Sequence, residues 1–126
     1  MGLETTLRGI IDIVTKKAIN FEGPSGEQIV ESEIPEEFKV EAEAKRAELI
    51  EKLAEVDEEI EEKYLNGEEL SAETIKKSIR KSVIALKFFP VLMGSAIKNK
   101  GVQLALNAVV DYLPNPLEKE NYAFDL

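Results

Sequence analysis

The 126-residue chain has no cysteine and no histidine. Those two absences exclude Cys/His zinc sites, disulfides, thiol nucleophiles and imidazole acid–base work, and with them serine triads built on His. Absence of cysteine agrees with a reducing compartment. Long apolar runs are missing too. The longest, Phe88-Phe89-Pro90-Val91-Leu92-Met93, is far short of the eighteen residues a membrane span needs and is broken by Pro90. The opening Met1-Gly2-Leu3-Glu4-Thr5-Thr6 lacks the basic region and apolar core of a cleavable leader and reads as an internal start. Five Pro, seven Gly, 44% apolar and 33% charged residues exclude a disordered acidic tail and indicate a soluble globular chain of one domain. The remaining chemistries are carboxylate, lysine or hydroxyl catalysis, or binding.

Negative charge is abundant and unevenly placed. The net of −9 hides a neutral block over 1–26, a block over 27–73 with eighteen acids and five bases (net −13), and a block over 74–101 with seven bases and no acid. Residues 102–126 carry −3. Such polarity gives the chain two electrostatically different faces, and the acidic one repels nucleic acid.

Residues 7–21 are β-branched and roughly alternating, the turn-rich Glu22-Gly23-Pro24-Ser25-Gly26 follows, and Gln28-Ile29-Val30 resumes the pattern. Two or three antiparallel strands are expected. Pro35 with Glu36 and Glu37 starts a helical pattern that runs to Tyr64. At 100° per residue, Leu49, Leu53, Val56, Ile60 and Tyr64 fall in one sector, while Glu51, Glu55, Glu58 and Glu62 form a stripe nearly opposite. Asn66-Gly67 ends the helix, and Ser71 caps a second over 72–87 with Ile75, Ile79, Val83 and Leu86 on its apolar face. Residues 88–93 read as a buried strand, with Phe88 and Phe89 as core residues of the intact protein. Gly94-Ser95-Ala96 reads as a tight turn. Val102, Leu106, Val109 and Leu113 are the apolar face of a last helix stopped by Pro114-Asn115-Pro116, with a frayed linker from Leu117.

Several of these segments together resemble the G-prime insertion and flanking GTPase-domain elements of translation elongation factor G. The resemblance spans nearly the whole chain. It rests on Gly9-Ile10-Ile11-Asp12-Ile13-Val14 with Lys17-Ala18, on Ile34-Pro35, and on Glu62-Lys63-Tyr64-Leu65 before Gly67-Glu68-Glu69-Leu70. Its most specific part is the run from Pro90 through Gly94-Ser95-Ala96-Ile97-Lys98-Asn99-Lys100-Gly101-Val102-Gln103 to Asp111-Tyr112-Leu113-Pro114. Leu113-Pro114-Asn115-Pro116 and Asn121-Tyr122-Ala123 look more like the mitochondrial form, which implies the mitochondrial matrix, with the bacterial cytoplasm as the alternative.

The resemblance implies an α+β fold. A small antiparallel sheet packed with amphipathic helices forms a G-prime-like insertion subdomain over 1–87. A strand, the fifth GTPase motif and a helix of a P-loop GTPase domain follow over 88–113, and a linker or tail over 114–126. It also implies that Gly94, Ser95 and Ala96 bring backbone amides to the guanine base in the intact parent, which uses GTP and Mg²⁺ to drive ribosomal translocation. No G-x-x-x-x-G-K-[ST], Asp-x-x-Gly or Asn-Lys-x-Asp segment is present, so this chain alone should neither bind cofactor nor hydrolyse GTP. The implied partners are the ribosome and the remainder of the GTPase domain. The C-terminal domain of the ribosomal stalk protein is implied as a third, meeting Glu51, Glu55 and Glu58. A membrane is not among them.

Blander readings stand beside these. The acidic stripe is also an ordinary solvated helix face, and Lys76, Lys77, Arg80 and Lys81 read as solvated or intramolecularly paired in preference to RNA-binding, since no aromatic platform is interleaved. Asp57, Glu58, Glu59, Glu61 and Glu62 point around a helix and do not make a metal loop. A self-contained acidic helical adaptor or RNA-binding domain is the competing function. It would pack residues 88–113 internally, whereas a fragment leaves Val91, Leu92, Val102, Leu106 and Val109 exposed and prone to self-association.

Overall fold

A computed structural model describes residues 1–2 and 6–118; Asn121-Tyr122-Ala123 and the rest of the expected tail beyond 118 lie outside the described residues. Strands β1 (Gly9–Asp12), β2 (Lys17–Glu22) and β3 (Gln28–Ser32) form an antiparallel sheet in that order. Gly9 faces Asn20 and Asp12 faces Lys17 across the first pair; Glu22 faces Gln28 across the second. The β1–β2 turn is folded by Asp12, whose carboxylate accepts from the Val14 amide at 2.8 Å and the Thr15 hydroxyl at 2.7 Å. This is the local side-chain competition for backbone donors that makes Asp a turn residue.

Four helices follow among the described residues: α1 (Glu36–Ala54), α2 (Glu58–Leu65), α3 (Ala72–Ile84) and α4 (Val102–Tyr112). Pro35, with φ −55, leads into α1 and Glu36 and Glu37 occupy its first turn, where the fixed proline dihedral and the acidic charges both suit a helix start. Ser71 caps α3 by accepting from the Thr74 amide at 3.1 Å. The core is built where α1, α2 and α3 meet: Leu53, Ile60 and Ile75 are fully buried, joined by Leu70, Ile79, Val83 and, from the β1–β2 turn, Val14. Each large side chain buried this way stabilises the fold by about 1.5–3 kcal/mol.

The structure corrects three expectations. The helix expected to run unbroken to Tyr64 stops at Ala54, because Asp57 takes an extended conformation (φ −135, ψ 108) before α2 begins. Leu53 and Ile60 still reach one core across the break, but Tyr64, expected to finish the apolar stripe, is 48% exposed. The second helix ends at Ile84 and not Lys87. Leu86 adopts a left-handed φ of 57 while the Lys87 amide bonds the Ser82 carbonyl, and this turn carries Leu86 out of the expected apolar face to 74% exposure.

The expected buried strand over 88–93 is not formed. No neighbouring strand among the described residues offers it a ladder, and Phe89, Val91 and Met93 are exposed, Val91 to 89%. Phe88 alone of this run packs against the core. On α4, Leu106 and Val109, expected to be exposed if the chain is a fragment, are exposed, as is Leu113, while Val102 is half-buried and no residue of the helix is fully buried.

One side chain joins sheet to helices. Arg46 of α1 is buried, and its guanidinium donates to the carbonyls of Ile13 at 2.6 Å, Val14 at 2.7 Å and Leu70 at 2.9 Å. The planar fork spans the β1–β2 turn and the α2–α3 loop at once, which a lysine ammonium does not reproduce. Arg46→Met strands these acceptors and should cost about 3 kcal/mol, lowering the melting temperature by on the order of 10 °C. Arg46→Lys should recover little of that loss. A melting curve for Arg46→Met that superimposes on wild type would contradict this role.

Candidate functional site

Two candidate surfaces were expected, and the structure keeps them apart on different elements. Glu51, Glu55 and Glu58 are all exposed, but they do not share one straight helix. Glu51 lies in the last turn of α1, Glu55 is its C-terminal cap and Glu58 opens α2. Glu55 is paired with Lys52 at 2.5 Å, whereas Glu51 and Glu58 have no ion-pair partner among the described residues. An acid at Glu58 also suits the positive end of α2. The stripe therefore survives as an acidic ridge across a helix break.

That break is held by a pair the sequence pattern did not single out. Asp57 is buried, at 4% exposure, and accepts from the Lys81 ammonium of α3 at 2.6 Å. Burial is the largest influence on its carboxyl and pushes the pKa up. It is outweighed by the hydrogen bond and charge of Lys81 together with smaller neighbouring donors, so the pKa is lowered overall. The Ser78 hydroxyl lies close to the same carboxylate but outside strict hydrogen-bond geometry, which leaves Lys81 as the partner that counts. Lys81 is raised in turn, chiefly by its hydrogen bond to Asp57.

The rest of the basic cluster is also largely engaged within the chain. Lys76 pairs with Asp111 at 3.1 Å. Arg80 donates to the Asp111 and Leu113 carbonyls at 3.0 and 2.9 Å and to Glu118 at 2.6 Å, closing the C-terminal end of α4. Glu118 is accordingly held below the usual carboxylate range, first by the Arg80 hydrogen bond. A basic residue beside the last carbonyls of a helix is a general stabilising device. Here it comes from another helix, so no local sequence signal announces it. Lys77 has no such partner among the described residues.

The second surface is the turn at Gly94, Ser95 and Ala96. It is tight, as expected: the Ser95 amide donates to the Lys100 carbonyl at 2.8 Å, the Lys100 amide returns a bond to Ser95 at 3.0 Å, and Asn99 turns the chain with φ 50. Gly94 is required here, since a Cβ would come within 2.7 Å of the Lys100 carbonyl oxygen. The Ser95 amide is therefore already committed, while the exposed Ala96 donates no backbone hydrogen bond among the described residues. A turn of small residues with an unspent amide lets the main chain approach a flat polar edge such as a purine.

Neither surface resembles a catalytic pocket. Two cavities among the described residues flank Arg46 instead. One of about 180 Å³ is lined by Ile34, Lys39 and Glu43, and one of about 340 Å³ by Thr15, Lys16 and Glu69. Among the described residues no three carboxylates converge as a metal-ligand set, and no described helix is long and apolar enough to cross a membrane.

No protein-family model matches the chain. It is similar to a protein from Thermus thermophilus known from a crystal structure, with a TM-score of 0.76 and 31% sequence identity over 94% of this chain. The match occupies 18% of the Thermus chain, so this α+β arrangement corresponds to less than a fifth of the length of the protein it matches.

The Asp57–Lys81 pair makes stability depend on pH. Because the folded-state pKa of Asp57 is depressed, its contribution is fully present above the ordinary carboxylate value, about pH 4, and is lost as pH falls through the folded value. Water screens the exposed Lys81 end, so the contribution of the pair is modest. Asp57→Asn should reduce stability in urea unfolding at pH 7, and the gap to wild type should be smaller at about pH 3, below the ordinary carboxylate value. A gap of the same size at both pH values would contradict the assignment.

Proposed function

We propose that the chain is the G-prime-like insertion and adjoining end of the GTPase domain of a translation factor similar to elongation factor G. In this reading it is a noncatalytic interaction module. The observation that carries the reading is the exposed stretch over 88–113. The run 88–93 shows Phe89, Val91, Leu92 and Met93 to solvent and joins no strand ladder among the described residues, and α4 shows Leu106, Val109 and Val110 to solvent. A self-contained adaptor has no reason to leave a strand-forming segment and a helix face uncovered, whereas a P-loop GTPase sheet would supply the missing ladder and cover. Similarity to a small part of a longer chain supports the same view.

In the intact parent, Gly94, Ser95 and Ala96 lie against the guanine base of GTP, with the unspent Ala96 amide as donor. GTP and Mg²⁺ supply the phosphoryl chemistry from phosphate-binding segments this chain does not contain. The cellular setting follows the resemblance: the ribosome in the mitochondrial matrix, or in the bacterial cytoplasm as the alternative.

The acidic ridge of Glu51, Glu55 and Glu58 is the docking surface for the basic C-terminal domain of the ribosomal stalk protein. Exposed carboxylates add little static affinity singly but accelerate encounter with an oppositely charged partner. Replacing all three by Lys should slow association on the order of tenfold at low salt, with dissociation little changed, and wild-type association should fall steeply with salt. The Glu58→Lys change opposes the α2 dipole, so circular dichroism must accompany the stopped-flow comparison. Equal association rates for two folded proteins would leave the ridge as solvated surface.

A further inference from the structure

Three contacts from the small sheet converge on the turn that carries Gly94-Ser95-Ala96. The Lys100 ammonium reaches across the fold to donate to the Leu7 carbonyl, just ahead of β1, at 2.5 Å. Ile10 of β1 closes on Gly101, where φ is +83: a Cβ there would lie 2.9 Å from Ile10 Cδ1 and 2.8 Å from the Met93 carbonyl oxygen. At the tip of the β2–β3 hairpin, Gly26 sits so near the turn that a Cβ would fall 2.8 Å from the Lys98 carbonyl oxygen. These partners are remote from the turn in sequence, Leu7 and Lys100 being 93 residues apart, so none of the contacts follows from local chain geometry.

We propose that the sheet is a brace that pre-organises the base-contacting turn, with Lys100 and Gly26 as its positioning residues. The inference rests on the reading of Gly94, Ser95 and Ala96 given above and adds what holds them in place. A backbone donor helps a ligand only insofar as its position is fixed before the ligand arrives, because ordering a loose turn on binding subtracts from affinity. The turn's own closure is short, made by the Ser95–Lys100 pair and by the Asn99 amide donating to the Ala96 carbonyl at 3.1 Å. The three contacts above add restraint from the sheet. Whatever displaces the sheet therefore reaches the nucleotide through Lys100 and the hairpin tip.

The test uses the full-length protein that carries this segment, following displacement of a fluorescent GDP by unlabelled GDP and by ADP. Lys100→Met keeps the aliphatic stem and deletes the bond to Leu7; Gly26→Ala pushes the hairpin tip off the Lys98 carbonyl. Each should weaken GDP about fivefold, the scale of one lost hydrogen bond, through faster dissociation. Competition by ADP should not change, and Lys100→Arg should restore much of the GDP affinity. Ala96→Pro, which removes the amide of the turn itself, separates the two claims. Weakened GDP binding in Ala96→Pro beside wild-type binding in Lys100→Met and Gly26→Ala overturns the brace and leaves the base contact standing. Wild-type GDP binding in Ala96→Pro overturns the base contact and the brace with it. Equal weakening of GDP and ADP by Lys100→Met marks a general loss of fold and also overturns the brace.

Discussion

The buried guanidinium of Arg46 ties together parts of the fold that otherwise meet sparsely. The strands pair extensively with one another and the helices pack on one another, while sheet and helices share few close approaches. Arg46 crosses that gap by donating to three carbonyls of two different connections. A cation taken out of water is costly unless its donors are met, and here carbonyl dipoles from turn and loop meet them in place of a carboxylate. Val14, whose carbonyl Arg46 holds, is also the residue that carries the sheet's turn into the helical core. The hydrogen bonds and the apolar contact therefore fix the same junction.

Around that junction the chain divides by how completely its surfaces are met. Between the β1–β2 turn and α3, Val14, Leu53, Ile60 and Ile75 share one core, the acidic helices keep their carboxylates outward, and Asp57 and Lys81 pin the bend between α1 and α2. Beyond Leu86 the balance reverses: backbone over 88–93 lacks a ladder and apolar side chains face solvent. Ties from the first region hold this second one in register. Arg80 closes the end of α4, and Lys100, Ile10 and Gly26 hold the turn before it. An element held in place yet uncovered on one side is suited to continue into a larger sheet, and the proposed function requires that of it.

Much of the fold was legible because periodicity and turn chemistry are local. The strand alternation, the Ser71 cap, the Gly67 terminator with φ 70 and the apolar positions Leu53, Ile60, Ile75, Ile79 and Val83 all appear where their patterns put them. The failures share a cause. The helix break at Asp57 is held by a lysine 24 residues away, and the run over 88–93 meets no neighbouring strand among the described residues. Arg46 was invisible for the same reason, since one arginine in a charged helix carries no sign of which carbonyls it will meet. The candidate site was legible only through resemblance: Gly94-Ser95-Ala96 is an ordinary small-residue turn by spacing, and Glu51, Glu55 and Glu58 an ordinary acidic face.

The central claim is that this chain holds the base-contacting end of a nucleotide site whose phosphate-binding part lies elsewhere in a longer protein. Isothermal titration with GDP, on the isolated chain and on the full-length protein side by side, tests it most directly. The account predicts no saturable binding to the isolated chain and clear saturable binding to the full-length protein. Tight binding by the isolated chain, or none by the full-length protein, would contradict it.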